Sequence, residues 1–190
     1  MWITLNTLHG REPEERVEIF NMKNISIYYA DLFQDDPKKS TMKKLNRFSL
    51  ATRIDVREIQ RHTVLRADGD SIILPGDRKF LERRGLCIIE GSWKSGMLLE
   101  QIKTEHSRKL PILMASNPVN YGKFNYLSSV EAVCAALYIT GFRDQAEYII
   151  SKFSWGHTFL ETNRELLESY SKAATLQDIE VIYGEFGFTQ

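Results

Sequence analysis

Short apolar runs rich in β-branched and aromatic residues predict the strands of this chain, because such residues suit a pleated and partly buried surface. Such runs cover residues 25–30, 64–67, 71–74, 86–89 and 113–115. The turn sequence Asp68-Gly69-Asp70 separates the second run from the third and predicts a hairpin between them. The fourth run has no polar interruption, which is typical of a strand buried on both faces.

Helical periodicity dominates the chain from about residue 130 onward. It covers residues 130–139, 143–153, 158–170 and 176–183. Earlier in the chain, Asp36 and Pro37 predict a helix start, and Asp77 and Gly85 bound a short helix. Strands that alternate with helices predict an α/β fold with a largely parallel sheet. We place a division between two α/β halves near Lys109.

The composition excludes several classes of protein. Of the 190 residues, 43% are hydrophobic, which supports a packed core and not intrinsic disorder. Cys87 and Cys134 lie in apolar runs without metal-ligand spacing, and the histidines form no motif, so we expect no metal site. No apolar run approaches the roughly 20 residues of a membrane span, and no signal-peptide pattern opens the chain. We therefore expect a cytoplasmic protein that contacts no membrane.

The formal net charge is zero, but the charge is unevenly distributed. Between Asp36 and Arg66, nine Lys or Arg residues stand against three Asp or Glu residues. From Glu161 to Gln190, two basic residues stand against six acidic ones. The basic segment could face an anionic polymer such as a nucleic acid. Two solvated helix faces of opposite charge explain the same pattern equally well.

The most informative segment joins a turn sequence to a helix start. Residues 117–122 (NPVNYG) consist of residues that favour tight loops, with Pro118 restricting the backbone before it. Ser128 then predicts an N-cap, and Glu131 three residues later completes a capping box. A polar loop that leads into the amides of a helix N-terminus suits a carboxylate or phosphate ligand. An ordinary well-capped helix explains the same residues.

Two further segments place reactive side chains at a helix start or a strand end. The stretch 38–41 (KKST) could hold a carboxylate with its hydroxyls and amides, although an exposed basic helix is the alternative. In the stretch 89–93 (IEGSW), Glu90 near Trp93 could serve as a base with a raised pKa. The alternative is that Ser92 caps a helix and Trp93 packs in the core. Ligands of open α/β folds bind at such strand ends.

Several motifs in a fixed order carry a family resemblance that spans roughly residues 23–170. These motifs are residues 36–45 (DPKKSTMKKL), 91–93 (GSW), 113–122 (LMASNPVNYG), 130–132 (VEA) and 153–160 (FSWGHTFL). Together they resemble the small-subunit ribosomal RNA aminocarboxypropyltransferases, a family that acts in ribosome biogenesis. Residues 1–22 lie outside the resemblance and are left as an unassigned N-terminal extension.

The resemblance implies an activity, a donor and a fold. It implies transfer of the 3-amino-3-carboxypropyl group of S-adenosylmethionine to N3 of a (N1-methyl)pseudouridine in small-subunit rRNA, with release of methylthioadenosine. It also implies an N-terminal α/β domain over residues 23–109, and a SPOUT-like C-terminal domain with a trefoil knot over residues 110–190. Such a knot is a rare exception to unknotted topology. The resemblance further implies a monomer that needs no metal.

The resemblance also assigns a donor site to specific residues. The hydroxyl and amide of Thr41, together with the helix N-terminal amide of Ser129, would hold the carboxylate of the transferred group. The remaining contacts are the backbone of Ile89 at the ribose, the backbones of Leu110 and Asn125 at the adenine, and Trp93 and Gly96 around the methyl group.

The resemblance also assigns the RNA contacts and the catalytic base to specific residues. The basic helix residues Lys39, Lys43, Lys44 and Arg47 would hold the RNA backbone. Glu90 stands where the family usually has Asp, and it is the candidate base for the N3 proton of uridine. Ser129 stands where the family usually has Thr. A SPOUT-type RNA methyltransferase and a non-catalytic rRNA-binding assembly factor are the alternative functions.

Overall fold

Six short parallel strands form the sheet of the computed structural model, which describes residues 24–31, 40–90, 104 and 106–188. The strands are β1 (Ile27–Asp31), β2 (Thr52–Arg53), β3 (Thr63–Leu65), β4 (Ser71–Ile72), β5 (Leu86–Glu90) and β6 (Ser107–Lys109). Their order across the sheet is β2-β1-β5-β3-β6-β4, and every pairing is parallel. The predicted α/β fold with a parallel sheet is thus confirmed.

The predicted hairpin around Asp68-Gly69-Asp70 is wrong. Strands β3 and β4 do not pair with each other, because β6 lies between them and pairs in parallel with both. Gly69 explains the difference, since a Cβ atom at this position would clash with the backbone of Arg108. The glycine therefore permits the close approach of β6, and the turn in which its amide donates to the carbonyl of Arg66 at 3.4 Å does not join two paired strands. The run 113–115 also joins no strand of the sheet, and Met114 forms only an isolated antiparallel bridge with Phe124.

The sheet is covered on both faces in its centre. Alternate residues such as Ile27 and Leu86 point into a large core shared with the C-terminal helices, whereas Ala30 and Cys87 join a smaller cluster on the opposite face. This alternation is the two-residue period of a strand. Both cysteines are free and buried, and burial raises the pKa of the Cys87 thiol to about 12. They are inert core residues, as the sequence predicts.

The α-helices of the described residues begin with α1 (Thr41–Arg47), and most of them lie in the C-terminal part. The others are α2 (Arg78–Arg84), α3 (Ser129–Ile139), α4 (Arg143–Ile150), α5 (Gly156–Thr162), α6 (Arg164–Tyr170) and α7 (Leu176–Glu185). The pattern predicted as one helix over 158–170 is two helices. The fully buried Asn163 lies between them and bonds the backbone of Met114 through its side-chain amide.

Helix α3 occupies the centre of the molecule. It packs against β5, α1, α4 and α6, and nine of its eleven residues are buried. A short helix that is apolar on every side needs such surroundings. Residues on both sides of Lys109 contribute to the same hydrophobic core. The division at Lys109 stays a prediction, and the predicted helix start at Asp36 and Pro37 lies outside the described residues.

Candidate functional site

The sheet topology creates a crevice at the carboxyl ends of β1 and β5. From β1 the next strand, β2, lies toward one edge of the sheet, whereas from β5 the next strand, β6, lies toward the opposite edge. Ligands of open α/β sheets bind where the connections from neighbouring strands diverge in this way. Asp31 and Glu90 are the last residues of the two strands, and they are register partners. Two carboxylates therefore lie at the position that the topology marks as the binding crevice.

The carboxylate of Glu90 is buried between two helix starts. Glu90 is only 6% exposed, and it accepts hydrogen bonds from the hydroxyls of Ser40 and Ser129. The backbone amide of Met42 lies 3.4 Å from its Oε1 atom. Burial raises the pKa of Glu90 above its ordinary value, although these three hydrogen bonds lower it. A carboxylate in such surroundings suits acid–base chemistry.

Thr41 and Ser129 meet at this same junction although 88 positions separate them in the sequence. Thr41 is the first residue of α1, and its Oγ1 accepts a hydrogen bond from the backbone amide of Val130 at 3.1 Å. Ser129 is the first residue of α3. The structure therefore brings together the two residues that the resemblance assigns to one carboxylate, and it adds Glu90 to them.

At the junction, the described residues offer no acceptor to the first backbone amide of either helix. In α3, the amide of Val130 bonds Thr41 and that of Glu131 bonds the hydroxyl of Ser128. Within the described parts of the chain, the backbone amides of Thr41 and Ser129 have no hydrogen-bond acceptor. Free amides at a helix N-terminus carry partial positive charge and bind anions. The junction thus combines a buried carboxylate with donors for a second, incoming anion.

Asp31 is paired with a lysine of α1. The Nζ atom of Lys43 lies 2.7 Å from Oδ2 of Asp31, and Arg53 lies 4.0 Å from the same oxygen. The hydrogen bond from Lys43 to Asp31 raises the pKa of the lysine. Asp31 is 6% exposed, whereas the side chain of Lys43 is 25% exposed, so the carboxylate is removed from water and the ammonium is partly solvated. Lys43, predicted to contact RNA, therefore holds the carboxylate next to Glu90 in the described structure.

The other residues predicted to contact RNA occupy different positions. The ammonium of Lys44 donates to the backbone carbonyl of Lys152 at 2.8 Å and lies 4.3 Å from the ring centre of Phe153. Arg47 is exposed at the end of α1. Lys39 lies outside the described residues. The RNA role of all of these residues stays a prediction.

Two of the three predicted contacts to the ribose and adenine lie at the same edge of the sheet. Ile89 precedes Glu90 on β5, and Leu110 follows the last residue of β6. Asn125 is exposed and has a positive φ of 63°, and its amide donates to the carbonyl of Leu113. Trp93 and Gly96, predicted to surround the methyl group, lie outside the described residues.

Glu131 fixes the loop that leads into α3. It is fully buried and forms the predicted capping box with Ser128. One carboxylate oxygen accepts the amides of Ser116 at 2.7 Å and Asn117 at 2.9 Å. The other accepts the side-chain amide of Asn117 and both the amide and the hydroxyl of Ser128. The start of α3, and with it Ser129, is therefore held in place by a single buried side chain.

Asp31, which ends β1 beside Glu90, is a residue of the site that sequence reasoning missed. Ser40 lies in the stretch 38–41 whose hydroxyls were expected to hold a carboxylate; it caps α1, and the carboxylate to which it donates is that of Glu90. A polar residue directly after the apolar run 25–30 is a weak signal for Asp31. Nothing local in the sequence links Ser40 to Glu90, because 50 positions separate them.

The described residues contain no cluster of three or more His, Cys, Asp or Glu side chains that could hold a metal ion. In the same part of the chain, no helix has the length and apolar character needed to cross a membrane.

Known proteins that are similar to this chain point to one family. The family model described as "Ribosome biogenesis protein, C-terminal" matches residues 63–186. The 16S rRNA aminocarboxypropyltransferase of Thermoplasma acidophilum is 48% identical over 149 residues, which are 78% of this chain and 91% of the relative. The protein of that name from Methanosarcina mazei is 39% identical over 170 residues, which are 86% of this chain and 96% of the relative.

A solved structure also matches. It is described as the SAM-dependent rRNA:acp-transferase Tsr3 from Vulcanisaeta distributa, and it aligns with a TM-score of 0.76 at 34% sequence identity. The alignment covers 86% of this chain and 89% of the other. The likeness thus extends over nearly the whole length of each protein that it matches.

Proposed function

We propose that this chain, which belongs to the 16S rRNA aminocarboxypropyltransferase family, transfers the 3-amino-3-carboxypropyl group of S-adenosylmethionine to small-subunit rRNA. The acceptor in this proposal is N3 of a (N1-methyl)pseudouridine, and the modification belongs to ribosome biogenesis. The observation that carries the proposal is the junction of Thr41, Ser129 and Glu90 at the diverging ends of β1 and β5.

The donor set at the junction fits the methionine end of S-adenosylmethionine. The free amides of Thr41 and Ser129 can hold its carboxylate. The carboxylate of Glu90, when ionised, can attract the ammonium or sulfonium group of the ligand, whereas Asp31 is already paired with Lys43. When bound, this donor supplies an alkyl carbon that is activated by the sulfonium leaving group.

The residues of the chain would then position the partners and remove one proton. As N3 of the acceptor bonds to the γ-carbon, the carbon–sulfur bond breaks and methylthioadenosine leaves. Glu90 would accept the N3 proton, because its buried carboxylate adjoins the seat of the transferred group. Correct positioning alone can contribute much of the rate enhancement. Lys39 and Arg47 would contact the RNA backbone from the basic segment.

The proposal also covers the organisation of the chain. It comprises an N-terminal α/β domain over residues 23–109 and a SPOUT-like, knotted part over residues 110–190. The protein is proposed to be a monomer that acts in the cytoplasm. The all-parallel sheet, whose strand order differs from the sequence order, supports the α/β character of the first part. Helices α3 to α7 lie in the second part.

The by-product identifies the reaction. Incubation of the protein with S-adenosylmethionine and small-subunit rRNA that carries the (N1-methyl)pseudouridine but lacks the aminocarboxypropyl group should yield methylthioadenosine, detected by liquid chromatography. Formation of S-adenosylhomocysteine would instead indicate a methyltransferase. A protein that binds the RNA but forms neither product, and that shows no binding of S-adenosylmethionine in calorimetry, would be an assembly factor.

Thr41→Val should weaken the binding of S-adenosylmethionine about tenfold, because it removes a hydroxyl at the seat of a charged group while keeping the side-chain shape. Calorimetry measures the dissociation constant. Thr52→Val is the matched control, since Thr52 is exposed on β2. Unchanged affinity in Thr41→Val, with the fold intact by circular dichroism, would refute this placement of the carboxylate.

The transfer rate should fall on the acid side as the pH drops through the raised pKa of Glu90. Only the ionised carboxylate accepts a proton, and burial raises its pKa above the ordinary value of 4.5, so the acid limb should begin above that value. Stability should respond in the opposite direction. The folded state favours the protonated form of Glu90. The contribution of Glu90 to the free energy of unfolding is therefore complete below its ordinary pKa and is lost as the pH rises through its raised pKa.

Profiles of transfer rate and of unfolding free energy against pH, measured for wild type and Glu90→Gln, test both effects. The variant should lose the acid limb and the associated pH dependence of stability. An identical acid limb in both proteins would assign the titration to another group.

A further inference from the structure

A loop beside the candidate site exposes a set of large apolar side chains. We call residues 117–126 the Asn117 loop. The exposed fractions are 76% for Val119, 69% for Tyr121, 51% for Tyr126 and 42% for Phe124. Aromatic rings that contact solvent to this extent in one short segment are typical of an interaction surface.

The loop is held firmly despite this exposure. Its backbone forms hydrogen bonds from Ala115 to Lys123, from Gly122 to Ala115 and from Asn125 to Leu113, all between 2.8 and 2.9 Å. At its base, the buried carboxylate of Glu131 accepts the backbone amide and the side-chain amide of Asn117. A loop fixed in this way presents its rings with little loss of conformational entropy on binding.

The charge of the segment indicates which partner it fits. Residues 117–130 contain no Asp or Glu, and Lys123 is their one basic residue. The ammonium of Lys123 lies 5.6 Å from the ring centre of Tyr126. Exposed rings next to a positive charge match the chemistry of unpaired nucleotides, whose bases stack on aromatic faces and whose phosphates attract cations. The loop also continues directly into Ser128, the N-cap of α3 at the candidate site.

We propose that the Asn117 loop is a stacking surface for unpaired bases of the RNA substrate, next to the crevice that holds the donor. This inference rests on the proposed function, because that function supplies an RNA as substrate. Tyr121 and Tyr126 provide the stacking faces, and Lys123 contacts a phosphate. The loop thereby selects single-stranded over fully paired RNA.

The test uses the full chain and two RNA probes, a small-subunit rRNA hairpin with its unpaired loop and a fully paired duplex of the same stem. The double variant Tyr121→Ala/Tyr126→Ala should bind the hairpin at least about tenfold more weakly, with little change for the duplex. Tyr121→Phe/Tyr126→Phe should retain the affinity, because phenylalanine keeps the ring. Lys123→Ala should reduce the slope of log affinity against log salt concentration by about one.

Val181→Ala is the matched control, since it removes an exposed apolar side chain from α7. Calorimetry with S-adenosylmethionine should give the same dissociation constant for every variant. Hairpin affinity that is unchanged in the alanine double variant, or an equal loss on hairpin and duplex, would overturn the inference. If the wild type binds neither RNA, the proposed function itself fails, so the two failures are distinguishable.

Discussion

Glu90→Ala should lower the rate of aminocarboxypropyl transfer by about a hundredfold or more at saturating donor and RNA, because a general base typically contributes that much. The side chain contacts Ser40, Met42 and Ser129 at the junction, and burial already raises its pKa. Single-turnover kinetics measures the effect without interference from product release. A separate calorimetric titration shows whether the donor still binds.

Two variants control for other roles of Glu90. Glu90→Asp should retain much of the activity, because the resemblance places aspartate at this position in the family and the shorter side chain keeps the carboxylate. Glu165→Ala removes an exposed glutamate from α6 and should have no effect. A Glu90→Ala enzyme that transfers at the wild-type rate would exclude Glu90 as the base.

Glu131→Ala should lower the free energy of unfolding by about 4 kcal/mol, because several buried donors lose their acceptor at once. The backbone amides of Ser116 and Asn117 would lie unpaired next to the core, and the capping box of α3 would be lost. Denaturation with urea, monitored by circular dichroism, gives the free energy. The loss should also weaken donor binding, since Ser129 begins the affected helix.

The control for this second variant is Glu180→Ala, which removes an exposed glutamate from α7 and should change the stability by less than about 0.5 kcal/mol. Glu131→Gln should fall between the two, because its amide group replaces one acceptor by a donor. A loss below about 1 kcal/mol for Glu131→Ala would show that water satisfies the loop amides, and that Glu131 does not fix the helix start.

Elements that depend on residues close together in the sequence could be predicted from local sequence signals. Ser128 and Glu131 lie within one helical turn, so their capping box could be predicted from spacing alone. The remaining hydrogen bonds of Glu131 reach Ser116 and Asn117, which lie fourteen or more positions away. No pattern in a single sequence reveals such partners. The same limit applies to the contact of Thr41 with Val130, which depends on how α1 and α3 pack.

The sequence was misleading where one residue type serves two purposes. Gly69 between two aspartates favours a tight turn, yet here the absence of a Cβ atom lets β6 pass between β3 and β4. Asn163 likewise interrupts a helical pattern that its neighbours continue, because its buried amide bonds the backbone of Met114. In both cases a long-range contact outweighs the local preference.

The central claim is that the transferred group is the aminocarboxypropyl group and not the methyl group. Two parallel reactions test it with small-subunit rRNA that carries the (N1-methyl)pseudouridine but lacks the aminocarboxypropyl group. One reaction contains S-adenosylmethionine labelled in the carboxyl carbon, and the other contains the label in the methyl carbon. We predict that the carboxyl label enters the RNA and that the methyl label remains in methylthioadenosine. Methyl label in the RNA without carboxyl label would contradict this account.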